Sequence, residues 1–260
     1  MRWLKVSEAE KFDGTKKYSK DQEIESRLEE LFSNHKVSPL EIINGFPIYA
    51  RRTVLKKFLA HYELFRRTID LPGDIVELGV FRGQSLMTFA NLLEARNIGD
   101  RTKKVWGFDN FKGFTGLRPE DGPNYEQSHK VEGGFSPEKF YEELLDVIDI
   151  FDADRFVGWK KRIELVVGDV TATIPEFVAK NPGLRISLLH FDIDMYEPTK
   201  VGLDYLYPLV VPGGVVIFDE YGILEWSGES KAVEEYFKGQ HVELKKFEWN
   251  NVPGAYLIKQ

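Results

Sequence analysis

Cysteine is absent from the 260-residue sequence. That removes disulfides, thiolate nucleophiles and cysteine-held zinc, and leaves oxygen and histidine as the strong metal donors. Positive charge is not in excess either, since 35 Lys and Arg stand against 42 Asp and Glu, a formal charge of −7. Nucleic-acid surfaces neutralise phosphates with clustered Lys and Arg, so this balance argues against a nucleic-acid partner. No run approaches the ~20 apolar residues that span a bilayer. The early Lys5, Glu8 and Glu10 do not suit a signal peptide. The expectation is a cytoplasmic protein without a membrane partner, its oligomeric state left open, a homo-oligomer included.

What is present has an ordinary globular balance, with 42% hydrophobic and 30% charged residues. The length suits one α/β domain with decorations. Residues 1–50 carry polar helical text such as Ser19 to Phe32 and read as a helical N-terminal extension, and residues 51–260 read as the domain itself. One basic run opens that domain. Arg51, Arg52, Lys56, Lys57, Arg66 and Arg67 interleave with Val54, Leu55, Phe58, Leu59, Tyr62 and Phe65, the pattern of an amphipathic helix whose cationic face is solvated, with an anion-binding patch as the alternative.

Short apolar runs over Asp74–Val80, Lys104–Asp109, Ile163–Gly168, Ile186–Asp192 and Gly214–Asp219 alternate with helical text. The spacing of Leu86, Phe89, Ala90 and Leu93, for example, predicts a helix after Gly83. Such alternation predicts a parallel sheet covered by helices. His241–Trp249 and Ala255–Lys259, joined by Asn250-Asn251-Val252-Pro253-Gly254, predict a closing hairpin. The expected fold is therefore α/β, a Rossmann-like sheet of seven strands with an antiparallel last hairpin, the layout of class I methyltransferases. A dinucleotide-binding dehydrogenase, the rival reading, uses six parallel strands in two halves. Between Phe111 and Phe135 lies a long segment rich in Gly, Pro and aromatics. It is expected to be either a mobile lid, with Phe111, Phe114, Tyr125 and Phe135 covering an acceptor, or an insertion that packs on the sheet.

Ligand-binding features gather at the ends of the predicted strands. Glu77-Leu-Gly79-Val-Phe-Arg-Gly83 places glycines where the backbone approaches a ligand, but lacks the Gly-x-Gly-x-x-Gly spacing that cradles a pyrophosphate. A preceding acid and no phosphate cradle suit S-adenosylmethionine, whose sulfonium is cationic. Glu77, Gly79, Gly83 and Ser85 are the candidates for this end of the cofactor. Asp109, at the tip of the second strand, is placed to accept ribose hydroxyls. Asp169 is placed either to meet the adenine amino group or to cap a helix.

A second cluster is acidic. Asp192 and Asp194 end one strand two residues apart, and Asp219 and Glu220 end the next. Strand ends converge on one crevice, and such a density of carboxylates calls for a hard divalent cation, magnesium or calcium, unless a basic residue such as Lys200 or Lys231 pairs with them. His190, alone in an apolar strand, is a rival base with a structural role as its plainer reading.

These blocks together, Pro72–Gly83, Val105–Gly113, Asp192–Thr199, Leu206–Pro208 and Asp219–Gly222, resemble the macrocin O-methyltransferase (TylF-like) family of sugar-methylating enzymes in antibiotic pathways. The resemblance implies S-adenosylmethionine as methyl donor and a small sugar-containing acceptor, a glycoside or nucleotide sugar. It also implies a magnesium ion on Asp192, Asp219 and Glu220, with Asp194 as general base and Asp192 as a second catalytic acid that serves both the metal and the cofactor. The chain departs from the family in reading Asp192-Ile193-Asp194 for Asp-Gly-Asp and Asp219-Glu220 for Asp-Asp.

Overall fold

The computed structural model describes residues 19–123 and 130–260. The chain opens with helices α1 (Ser19–His35), α2 (Pro39–Asn44) and α3 (Phe46–Tyr49), so the polar N-terminal text is helical as expected. α2 begins on a capping box, in which Glu41 N–H donates to Ser38 Oγ and Ser38 N–H to Glu41 Oε2. There follow α4 (Arg52–Phe65), β1 (Asp74–Leu78), α5 (Gln84–Arg96), β2 (Val105–Asp109), α6 (Tyr141–Asp154), β3 (Ile163–Val167) and α7 (Val170–Lys180). β4 (Ile186–Phe191), α8 (Tyr196–Leu206), β5 (Val210–Phe218), α9 (Ser227–Tyr236) and β6 (Ala255–Ile258) complete the chain. Among the described residues no helix is long and apolar enough to cross a membrane.

The strands form one sheet in the order β3-β2-β1-β4-β5-β6, with β6 alone antiparallel. Central strands of such a sheet are covered on both faces and need apolar side chains on both. β4 meets that demand with every position buried. One face carries Val76, Leu78, Leu189, Phe191, Val216 and Phe218 against α7, α8 and α9. The other carries Ile75, Leu188, Val215 and Ile217 against α4 and α5.

The sheet has six strands where seven are expected from the sequence. β6 is the second arm of the predicted hairpin, but His241–Trp249 makes only a single bridge, Lys245 with Tyr256. Val242 and Leu244 pack toward one core and Phe247 toward the other, which keeps a strand's alternation, but within this segment Lys245 alone exchanges backbone hydrogen bonds with β6, so the pattern is present without a ladder.

Candidate active site

Strand order reverses between β1 and β4, and the crevice outside their carboxyl ends is where ligands bind in doubly wound sheets. A cavity of about 590 Å3 lies there. Gly79, Gly83 and Phe81 all adopt positive φ, turning the chain sharply between β1 and α5. At Gly79 (φ +88°) a Cβ would lie 1.8 Å from the Asp192 carbonyl oxygen, so two backbones touch where no side chain fits. Asp109 fastens this turn from the neighbouring strand. One of its oxygens accepts from Val80 N–H at 2.9 Å and Phe81 N–H at 2.8 Å, and the other from Phe111 N–H at 2.7 Å. A carboxylate offers about four acceptor sites, so the turn takes most of its capacity. Gly79, Ser85, Asp109 and Asp169 line the cavity. Asp169 also caps α7 by accepting from Thr171 N–H, so the capping role is realised at the cavity wall.

Glu77 is placed differently. It is the Cα partner of His190 in the sheet register, on the face that carries Ile75 and Leu188, and it is absent from the cavity lining. His190 Nδ1–H donates to Glu77 Oε1 and Nε2–H to Asp219 Oδ1, each at 3.1 Å. Burial opposes a charge on His190, yet Asp219 and then Glu77 push its pKa up to about 10. The ring is therefore an imidazolium held between two acids, the structural role foreseen for it, and His61 packs on it at 5.2 Å.

At the acidic end, Asp192, Asp219 and Glu220 each bring a carboxylate oxygen within 4.8 Å of the others. Asp192, Asp194 and Glu220 line the same cavity as the glycine turn. Asp194 has φ +64°, and burial, then the charges of Asp192 and Asp219, push its pKa up to about 8. Glu220 rises too, through burial and then Asp194 and Glu229, while its N–H donates to Glu229 Oε1 at 2.9 Å. Burial works against a charged Asp219, but Lys57 and His190 hold it well below the usual carboxylate range.

Lys57 is the residue that sequence reading misplaced. It does not share the solvated face of α4 but reaches into the acid cluster, 2.9 Å from Asp192 Oδ2 and 3.0 Å from Asp219 Oδ2. The signal was present. Positions 57, 60, 61, 64 and 65 share one helical stripe, and Ala60, His61, Leu64 and Phe65 are the buried residues of α4. The sequence candidates Lys200 and Lys231 do not serve, since Lys231 pairs with Glu120 and Glu235 and Lys200 lies over the Tyr196 ring.

Described residues of the long segment after β2, Phe114 and Phe135 among them, line the cavity. Phe114, Phe135 and Trp226 form an aromatic group with centroids 5.3 to 5.9 Å apart, and all three line the cavity. Phe111 instead enters the core beside Tyr141, and Tyr125 lies outside the described residues. Asp121 anchors the segment by accepting Tyr196 N–H at 2.6 Å and Arg118 N–H at 2.7 Å.

A sheet in which only the last strand is antiparallel, with a glycine turn after β1 and acids after β4 and β5, defines a methyltransferase architecture rather than a dehydrogenase one. The chain belongs to the macrocin O-methyltransferase (TylF) family, whose model matches residues 47–256. It is 32% identical over 155 residues to the 8-demethyl-8-(2,3-dimethoxy-alpha-L-rhamnosyl)-tetracenomycin-C 4'-O-methyltransferase of Streptomyces olivaceus, covering 59% of this chain and 54% of that protein. It is 29% identical over 171 residues to the mycinamicin III 3''-O-methyltransferase of Micromonospora griseorubida, covering 64% and 61%. The chain thus spans somewhat more than half the length of these curated relatives. Among solved structures, a calicheamicin methyltransferase is similar with a TM-score of 0.85 at 31% identity, covering 98% of this chain and 99% of that one.

Proposed function

We propose that the chain transfers the methyl group of S-adenosylmethionine to a sugar hydroxyl of a small glycoside or nucleotide sugar, assisted by a divalent cation, in natural-product biosynthesis. The observation that carries this reading is one cavity lined at one end by Gly79, Ser85, Asp109 and Asp169 and at the other by Asp192, Asp194 and Glu220. The activities of the relatives, 4'-O-methylation of a rhamnosyl-tetracenomycin and 3''-O-methylation of mycinamicin III, support the acceptor class. In this reading residues 51–260 form the methyltransferase domain and residues 1–50 an extension to it.

The donor set suits a hard cation. Glu220 Oε2 is buried without a hydrogen-bond donor, Asp219 Oδ2 meets only the Lys57 ammonium, and all three candidate ligands, Asp192, Asp219 and Glu220, are carboxylates. Bound there, magnesium or calcium would orient an acceptor hydroxyl and ease its loss of a proton. Asp194, which lines the same cavity beside these ligands, then takes that proton. The glycine turn lets the backbone approach the cofactor, and Asp109 keeps that turn in shape while offering its remaining acceptor site to a ribose hydroxyl. Holding donor and acceptor in line supplies much of the rate.

The test is methyl transfer from S-adenosylmethionine to a panel of glycosides and nucleotide sugars. It is run with chelator, then with magnesium, calcium or manganese restored, beside Asp219→Asn. Activity that falls in chelator and returns with metal supports the reading. Full activity in chelator, or an unimpaired variant, removes the metal and leaves only the cofactor half.

A further inference from the structure

α4 stands outside the sheet, yet its buried stripe of Ala60, His61, Leu64 and Phe65 ends toward the cavity in Lys57. The ammonium pairs with Asp192 and Asp219 at 2.9 and 3.0 Å. These are two of the three carboxylates that approach one another closely enough to hold a cation. Lys57 Nζ stands 3.0 Å from Asp219 Oδ2, an oxygen that meets no other donor, so the ammonium occupies the place a cation would take beside it. A cation coordinated at ~2.0–2.6 Å by the same oxygens would stand against the ammonium with like charge.

We propose that Lys57 is a tethered counter-ion that competes with the divalent cation for Asp192 and Asp219, so that the metal enters only when the lysine swings out. The proposal rests on the metal reading above. In the metal-free protein the lysine keeps the acids close together without a metal, and metal affinity is lowered by the fraction of molecules in which it has left. A lysine-out population of about one in ten or fewer corresponds to a loss of affinity of about tenfold or more.

The experiment titrates chelator-stripped protein with Mn2+ alone, by calorimetry and by the electron paramagnetic resonance of free Mn2+. Wild type is compared with Lys57→Gln and with Lys57→Met. Both variants are expected to bind Mn2+ about tenfold more tightly or better. Their metal-free forms should melt lower than wild type, with the deficit closed by Mn2+. The unmodified protein gives a separate readout. Acetylation of Lys57 by acetic anhydride, mapped by mass spectrometry against Lys103, which is held by Thr68 O and Ser187 Oγ, should rise when Mn2+ binds. Equal or weaker Mn2+ binding by the variants, or Lys57 labelling unmoved by bound Mn2+, overturns the inference and leaves metal assistance standing. Failure of wild type and both variants to bind Mn2+ overturns the metal reading and the inference with it.

Discussion

Replacing Gly79 with alanine adds one methyl group at the point where β1 meets the end of β4. The new Cβ would sit 1.8 Å from the Asp192 carbonyl oxygen, whereas ordinary contact begins near 3.4 Å, so the two backbones must part by about 1.6 Å. Neither has slack. Gly79 N–H donates to Phe108 O and Asp192 N–H to Leu78 O, both at 2.9 Å. The left-handed conformation costs a non-glycine residue about 1–2 kcal/mol, and overpacking a dense interior costs about 1–3 kcal/mol. Together they give roughly 2–5 kcal/mol, and in a chain of this size that lowers Tm by about 10 °C. The displacement also carries Asp192 away from Lys57 and reshapes the cavity wall. Binding of S-adenosylhomocysteine, followed by calorimetry, should therefore weaken by about tenfold or more, the equivalent of roughly 1.4 kcal/mol. A variant that melts within about 2 °C of wild type and binds S-adenosylhomocysteine unchanged would refute both the contact and the placement of the cofactor.

Asp109→Ala leaves the N–H groups of Val80, Phe81 and Phe111 without their acceptor, so cofactor affinity should fall while Mn2+ affinity holds; the reverse result in calorimetry would contradict the role of Asp109. Arg162 is buried and pairs with Glu94 at 2.8 Å and Asp100 at 3.1 Å. Glu94 keeps Arg155 at 2.7 Å, so Arg162→Met acts by stripping the Lys103 and Asp100 carbonyls of their donor; it should cost about 1–3 kcal/mol in chemical denaturation, and no measurable loss would show that those carbonyls find other partners. Although burial would raise it, hydrogen bonds from Thr102, Lys103 and Arg162 lower Asp100 from 3.8 to about 2. Its contribution, reduced by solvent screening, should be complete above roughly pH 5 and drain away as pH falls toward 2. Urea midpoints of Asp100→Asn should accordingly be flatter than wild type across that window, and parallel curves would dismiss the pairing.

The strands of the sheet were legible because each is a short run that is apolar on both faces, a pattern helices of this length do not produce. β5 begins at Val210 rather than Gly214, since Val210 pairs with Ile186 across a register shift that no local pattern announces. The acids at the ends of β4 and β5 were equally readable, because topology alone brings those ends together. Lys57 and Glu77 were not. Lys57 lies 135 positions from Asp192 in sequence, and its basic neighbours on α4 drew it toward the solvated face, although the stripe through His61 and Leu64 pointed inward. Glu77 sits beside the glycine turn in sequence, but the period of two in β1 sends it to the face shared with His190. Proximity in sequence was the wrong guide for both, and periodicity was the right one.

The row that runs from Asp192 through Lys57, Asp219 and His190 to Glu77 alternates in sign at spacings of 2.9, 3.0, 3.1 and 3.1 Å. A row of that kind has a parity. Deleting one inner member leaves its neighbours with less opposite charge beside them, and breaking a buried pair in this way costs about 3–5 kcal/mol. Deleting two adjacent members leaves the net charge of the row unchanged. Drift along this line should therefore proceed in oppositely charged couples, and a relative that has lost its lysine at this position should also have lost an acid or taken its cation from elsewhere. Because the five residues come from α4, β1, β4 and the ends of β4 and β5, the constraint ties segments far apart in sequence into one unit of inheritance.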